Sequence, residues 1–259
     1  MIGATLIELV LMLMVPLALA RVLIPRLGTS WRVLRWGAAT FVASQALRWP
    51  VLSGLTAMFI ANPAWAPAQA WLFAFNTSVL ALTAGAFEEC ARYVGYKVVI
   101  PDARRWADGV TYGLGHGIAE AIILGLLVAT TFGTMLVLRD PALTAALHLT
   151  PVTDTAVATQ LKEYWSTPWF VAILGGLERL NAICVHLCLA VIVLRAVTSG
   201  KKSWLLLAVA LHAAFDFVAV WTLTRVGVVA AEMVIAAGAT LALLVLLRMR
   251  PQGEAGLTK

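Results

Sequence analysis

Seven apolar stretches recur along this 259-residue chain, at about 2–20, 36–57, 69–96, 109–138, 169–194, 203–223 and 227–247. About 20 helical residues cross the hydrocarbon core of a bilayer, so each stretch is long enough to span. In lipid a backbone must satisfy its own hydrogen bonds, and a run of this length does so as a helix. The predicted fold is all-α, a polytopic transmembrane helical bundle of about seven spanning helices. With 61% hydrophobic and 12% charged residues, the chain lacks the polar surface that a soluble domain needs. The first stretch ends in "LALA", like the end of a signal peptide, but it has no basic leader, carries Glu8, and is followed by its arginines. It is expected to stay as a helix.

Lys and Arg in the loops and at span ends set the orientation. One side holds Arg21, Arg26, Arg32, Arg35, Lys97, Arg104, Arg105, Arg195, Lys201, Lys202, Arg248, Arg250 and Lys259, and the other holds Arg48, Arg139, Lys162 and Arg225. Thirteen against four predicts the N-terminus outside and the C-terminus in the cytoplasm, in a multi-pass protein of a bacterial inner membrane. The net charge of +6 is then mainly a topology signal, with anionic lipid as its partner. No basic stripe interleaved with aromatics argues for nucleic acid. Residues 1–248 read as one integral membrane domain and 249–259 as a disordered cytoplasmic tail. The longest loop, about 139–168, is expected to fold over the outer face, with Trp165 and Trp169 in an interfacial belt. Cys90, Cys184 and Cys188 all fall on predicted helices and read as packing residues.

Against this apolar background the ionisable residues stand out. Glu8, Glu88, Glu89, Glu120, Glu178, Asp216 and Glu232 lie in the spans, seven of the chain's thirteen acids, together with Arg92, Arg179, His116, His186 and His212. A charge at mid-bilayer costs roughly 2.5–3.5 kcal/mol or more unless it is paired or wetted, so a mere anchor would not keep them. Glu8 and Glu232 lie near span ends and read as interfacial.

Depth decides which of the others can meet. Glu88 lies nine residues before Lys97, His186 nine before Arg195, His212 ten after Lys202 and His116 eleven after Arg105. At about 1.5 Å of rise per residue, four helices place a Glu or a His roughly 13 to 17 Å from the basic boundary. That agreement predicts one polar site in the cytoplasmic half of the membrane. Glu178 and Arg179 fall roughly 24 Å from Arg195 on the same count and would bond each other or mark the far end of a wet cavity.

Spacing adds detail. Glu88 and Arg92 are four apart and are expected to pair, with Glu89 turned about 100° away. His116 with Glu120, and His212 with Asp216, are also four apart, so each carboxylate is placed to take an imidazole N–H and fix the free nitrogen. Gly113, Gly115 and Gly117 around His116 let neighbouring backbones approach and leave room for a substrate chain or water. Adjacent carboxylates and several imidazoles in a membrane pocket suit peptide hydrolysis, with a carboxylate activating water and imidazoles or a metal stabilising the oxyanion. Proton-coupled transport uses the same residue types, and a non-catalytic membrane scaffold is a third reading.

The motifs "EECAR", "GLGHGIAEA", "ERLNAICVH" and "LHAAFDF", in this order on successive spans between about residues 70 and 225, resemble the YhfC family of bacterial intramembrane peptidases. More distantly they are similar to the CAAX prenyl endopeptidases, their bacteriocin-processing relatives and PrsW. The resemblance implies a helical membrane fold that cleaves a membrane-embedded or membrane-proximal peptide. Carried over motif by motif, it implies catalytic roles for Glu88, Glu89, Arg92, His116, His186 and His212, with Tyr112, Glu120, Asp216, Glu178 and Arg179 in support. One of Glu88 and Glu89 would be the base. The mechanism stays open between a glutamic scheme without cofactor and a metalloprotease scheme in which His116, His186 and His212 with Glu89 hold Zn²⁺.

Overall fold

The computed structural model describes residues 1–146 and 155–251. Every regular element among them is helical. In chain order these are α1 (Ile2–Arg26), α2 (Trp31–Ala61), α3 (Gln69–Val99), α4 (Trp106–Arg139), the short α5 (Pro141–Ala146), α6 (Thr155–Ser166), α7 (Trp169–Ser199), α8 (Ser203–Arg225) and α9 (Val228–Arg248). Among the described residues six helices, α1, α3, α4, α7, α8 and α9, are long and apolar enough to cross a membrane. The protein is a multi-pass membrane protein with an all-helical fold.

The seventh expected span is α2. At 31 residues it is long enough, but Thr40, Ser44, Gln45 and Arg48 dilute its apolar character. Those side chains are spent on partners inside the protein, as shown below, and that use explains the weaker hydropathy. Pro50 sits within α2 without ending it. Of the loop expected at about 139–168, α5 and α6 are helical, while 147–154 lie outside the described residues, as do 252–259 of the tail.

The chain forms two compact units, one of Met1–Leu17 and Ala121–Leu180, the other of Ala18–Glu120 and Asn181–Lys259. In the second unit α3 packs against α8 and α2, and α9 packs against α8. Small residues bring these helices close, since without a hydrophobic drive between helices in lipid, association depends on tight packing. A side chain at Gly85 would put its Cβ 2.7 Å from the Val209 carbonyl of α8, and one at Gly113 would put it 2.6 Å from the His186 carbonyl of α7. Gly115 abuts the Leu34 carbonyl in the same way. The glycines of "YGLGHG" are therefore filled by neighbouring helices rather than by open space. At the basic end of this unit the connections are tied by polar contacts: Arg32 pairs with Asp102, Thr29 and Thr111 hydroxyls lie 2.7 Å apart, and Trp106 Nε1 donates to the Leu246 carbonyl at 3.1 Å. Both α1 and α3 contain a turn of π-helix, at Val10–Met14 and Gly95–Val99. The second follows the paired glutamates within two turns, a location where such turns accompany functional sites.

In the first unit, Arg139 at the end of α4 stacks over the Trp165 ring of α6 at 4.3 Å. The α1–α7 approach rests on Gly175 and Gly176, where a Cβ would meet Glu8 Oε1 at 2.7 Å and Leu11 Cδ1 at 2.8 Å.

Candidate active site

Five helices of the second unit bring one polar cluster together. α3 supplies Glu88, Glu89 and Arg92 from one turn, α4 supplies His116 and Glu120, α7 His186, α8 His212 and Asp216, and α2 Gln45. Glu89, Arg92 and His116 are fully buried, and Glu88, His186 and His212 nearly so. Groups this dry must find their partners within the protein.

Arg92 is the hub. Its Nη1 donates to Glu89 Oε1, its Nε to His116 Nδ1 at 3.3 Å, and its Nη2 to His186 Nδ1 at 2.7 Å. A guanidinium has only donors, so both Nδ1 atoms must accept, and the remaining proton of each neutral imidazole sits on Nε2. These two Nε2 atoms each face a carboxylate: His116 lies 2.9 Å from Glu88 Oε2 and His186 2.6 Å from Glu120 Oε2. The third imidazole is wired differently. His212 Nδ1 lies 2.6 Å from Glu89 Oε1, leaving its Nε2 3.8 Å from Glu88 Oε2 and 3.6 Å from Asp216 Oδ2, both too far for a direct hydrogen bond.

Several pairings differ from those the spacing suggests. Arg92 bonds Glu89 three residues away, and its Nη2 stays 3.9 Å from Glu88. Glu120 takes the His186 N–H instead of that of His116, and His212 is held by Glu89 more closely than by Asp216. The last two share one reason, while the Arg92–Glu89 bond stays within α3. In lipid a side chain between helices gains most from a partner on the facing helix, where both groups are desolvated together, and the intrahelical i,i+4 contact gives way. Tyr112 sits beside the cluster rather than in it: its hydroxyl donates to Thr40 Oγ1 at 2.7 Å and its ring lies 4.3 Å from that of Tyr96. Glu178 and Arg179 belong to the first unit, where they form an ion pair.

Gln45 is the functional residue that sequence reasoning missed. Its Nε2 donates to Glu88 Oε1 at 3.0 Å, and its Oε1 accepts from Arg48 Nη1 at 3.3 Å, which fixes the amide's direction. Arg48, counted among the span-end cations, lies within α2 and also bonds Thr83 Oγ1 and the Leu80 carbonyl of α3. The available signal was "SQALR", an amide one turn before an arginine in an otherwise apolar stretch.

The cluster has the makings of a metal site. One ligand atom each from Glu88, His116 and His186 lie within 4.8 Å of one another. This group takes Glu88 where the resemblance suggests Glu89, and it does not include His212. Two imidazoles and one carboxylate form a donor set suited to a borderline divalent cation. The cluster sets two carboxyl groups, Glu88 and Glu89, against one permanent cation, Arg92, and a second positive charge, on His212 or on a metal, would balance them. One buried oxygen, Glu89 Oε2, has no hydrogen-bond partner among the described residues. The donor types and their spacing therefore fit a bound metal, which each imidazole would take by exchanging its contact to Arg92 or to its carboxylate.

A family model described as the YhfC intramembrane metalloprotease matches residues 11–239, most of the chain and all four motifs. The chain belongs to the YhfC family. A curated YhfC relative, described as an uncharacterized membrane protein of Bacillus subtilis (strain 168), is 33% identical over 139 residues. That alignment covers 54% of each chain, so this chain spans about half the length of the relative it matches. No solved structure matches. The YhfC family description names a metal-dependent protease acting within the membrane, and the Glu88–His116–His186 group supplies ligands of the kind such an enzyme needs.

Proposed function

We propose that this chain is an intramembrane peptidase in which Glu88, His116 and His186 hold a divalent metal, Zn²⁺ by the character of the donor set. The observation that carries this reading is the convergence of those three buried side chains to within 4.8 Å from three different helices. A metal held there would supply a Lewis acid for the scissile carbonyl and make water more acidic.

The remaining residues take defined roles. Glu89 is the base: Arg92 and His212 both occupy its Oε1, and Oε2, buried and without a partner, is the oxygen left to accept a proton from water. His212 donates Nδ1–H to Glu89 Oε1, and with a second proton on the ring its Nε2–H would hydrogen-bond the developing oxyanion or pass that proton to the leaving amide nitrogen. Arg92 holds His116 and His186 as Nε2–H tautomers when no metal is bound, and to ligate, each ring would exchange its Arg92 contact at Nδ1 or its carboxylate contact at Nε2 for the metal. Gln45 occupies Glu88 Oε1 and leaves Oε2 as the oxygen directed at His116. The substrate is a membrane-embedded peptide segment.

The test is elemental analysis of the purified full chain before and after chelation, alongside cleavage of a reporter peptide in proteoliposomes. One metal equivalent is expected, lost with cleavage in the His116→Ala/His186→Ala double variant. Full turnover by protein stripped of metal would refute the reading.

A further inference from the structure

A second polar site lies apart from this cluster, wholly within the first unit. A cavity of about 480 Å³ is lined by residues of α1, α4, α6 and α7, a size within the ordinary range of small-molecule sites. Its walls are apolar at Met12, Leu127, Val128 and Val171, and polar at Glu8, Glu178 and Arg179. Glu178 and Arg179 pair with each other. Glu8 differs. It is half-buried, two turns into a membrane span, and makes no hydrogen bond or ion pair among the described residues.

An intramembrane carboxylate normally finds a partner. Here the fold makes space for the group instead of supplying one. Gly175 of α7 faces it, and a Cβ there would stand 2.7 Å from Glu8 Oε1. Nearby, burial and then the Glu8 charge push the Tyr164 phenol above its ordinary range, and the Thr5 hydroxyl donates to the Met1 carbonyl at 3.3 Å rather than to Glu8. No ion pair engages Glu8 among the described residues, and the walls beside it offer apolar surface for a hydrocarbon stem.

We propose that this cavity binds a primary ammonium group carried on an apolar stem, with Glu8 as its counter-charge. An anionic ligand is disfavoured, since the cationic Arg179 is already opposed by Glu178 while Glu8 stands unopposed. The ammonium donates to Glu8 and its stem lies along Leu127, Val128 and Val171. A free alkylamine and the ethanolamine headgroup of a lipid share this chemistry.

The probe is n-hexylammonium, titrated into the purified full chain in neutral detergent and followed by ligand-observed NMR, with hexan-1-ol as the uncharged control. Wild-type protein should bind the amine, Glu8→Gln should weaken it by about tenfold or more, as expected for loss of a charge-assisted hydrogen bond, and the alcohol should bind both weakly and alike. Gly175→Val, which crowds the carboxylate, should also abolish amine binding, with thermal melting of both variants confirming that they are folded. Equal amine affinity in wild type and Glu8→Gln, or alcohol binding as tight as the amine, overturns the proposal. Repeating the titration in nanodiscs separates the two sources: competition by phosphatidylethanolamine but not phosphatidylcholine assigns the site to a lipid headgroup, and undiminished binding in both assigns it to a soluble amine. The cluster of Glu88, His116 and His186 takes no part, so these results stand whatever its metal content.

Discussion

Arg92→Leu is the most informative single perturbation of the cluster. The substitution removes a fully buried guanidinium that bonds Glu89, His116 and His186 at once. Deleting one partner of a buried ion pair costs about 3–5 kcal/mol, because the other charge is left behind in a medium that cannot solvate it. The two bonds to imidazole nitrogens would add about 1.5–3 kcal/mol each if they were lost without relaxation. Full addition overcounts, since Glu89 can take up a proton in place, and we expect a net loss of about 4 kcal/mol in metal-free protein. If the loss arises from the stranded carboxylate, removing that charge as well must recover part of it. In a double-mutant cycle, Arg92→Leu/Glu89→Gln should be more stable than the sum of the single effects by at least about 1 kcal/mol. Reversible unfolding in mixed SDS micelles, followed by far-UV circular dichroism on chelator-treated samples, supplies the four free energies. Additivity to within about 0.5 kcal/mol would refute the assignment of Arg92 as the counter-charge of Glu89.

Three further predictions probe the neighbours. Gln45→Leu should weaken Zn²⁺ affinity by roughly 10 to 100-fold, the usual effect of losing an outer-shell hydrogen bond, while the protein stays folded in chelator with a lowered melting temperature; competition with a chromophoric chelator reads it. His212→Ala should retain the metal yet lose reporter cleavage, because His212 lies outside the Glu88–His116–His186 group; loss of metal in elemental analysis would place it among the ligands instead. Gly113→Ala should destabilise the protein by about 1–3 kcal/mol, since its Cβ would stand 2.6 Å from the His186 carbonyl, and unfolding experiments that find no loss would show that α4 and α7 are free to separate.

Much of the site was legible in the sequence because helical rise converts residue number directly into depth. Counting from Lys97, Arg105, Arg195 and Lys202 put Glu88, His116, His186 and His212 at one level, and in the structure their side chains do meet. Rotation about the helix axis and the identity of the facing helix are not encoded so simply. The i,i+4 rule paired Glu88 with Arg92 and His116 with Glu120, whereas interhelical partners decide those bonds. Gln45 carries no charge to mark it, and an amide in a membrane helix is informative only once its partner Glu88 is known. The glycines of α4 illustrate the same limit. Small residues permit close approach and open space equally, and the carbonyls of Leu34 and His186 occupy the room they leave.

X-ray absorption at the zinc edge of the Zn²⁺-loaded full chain tests the central assignment most directly. The account predicts low-atomic-number ligands at about 2.0–2.1 Å with the multiple-scattering signature of two imidazoles, reduced to one in His186→Ala. A sulfur shell at about 2.3 Å, which would implicate Cys184 or Cys188, or a spectrum unchanged by loss of His186, would contradict it.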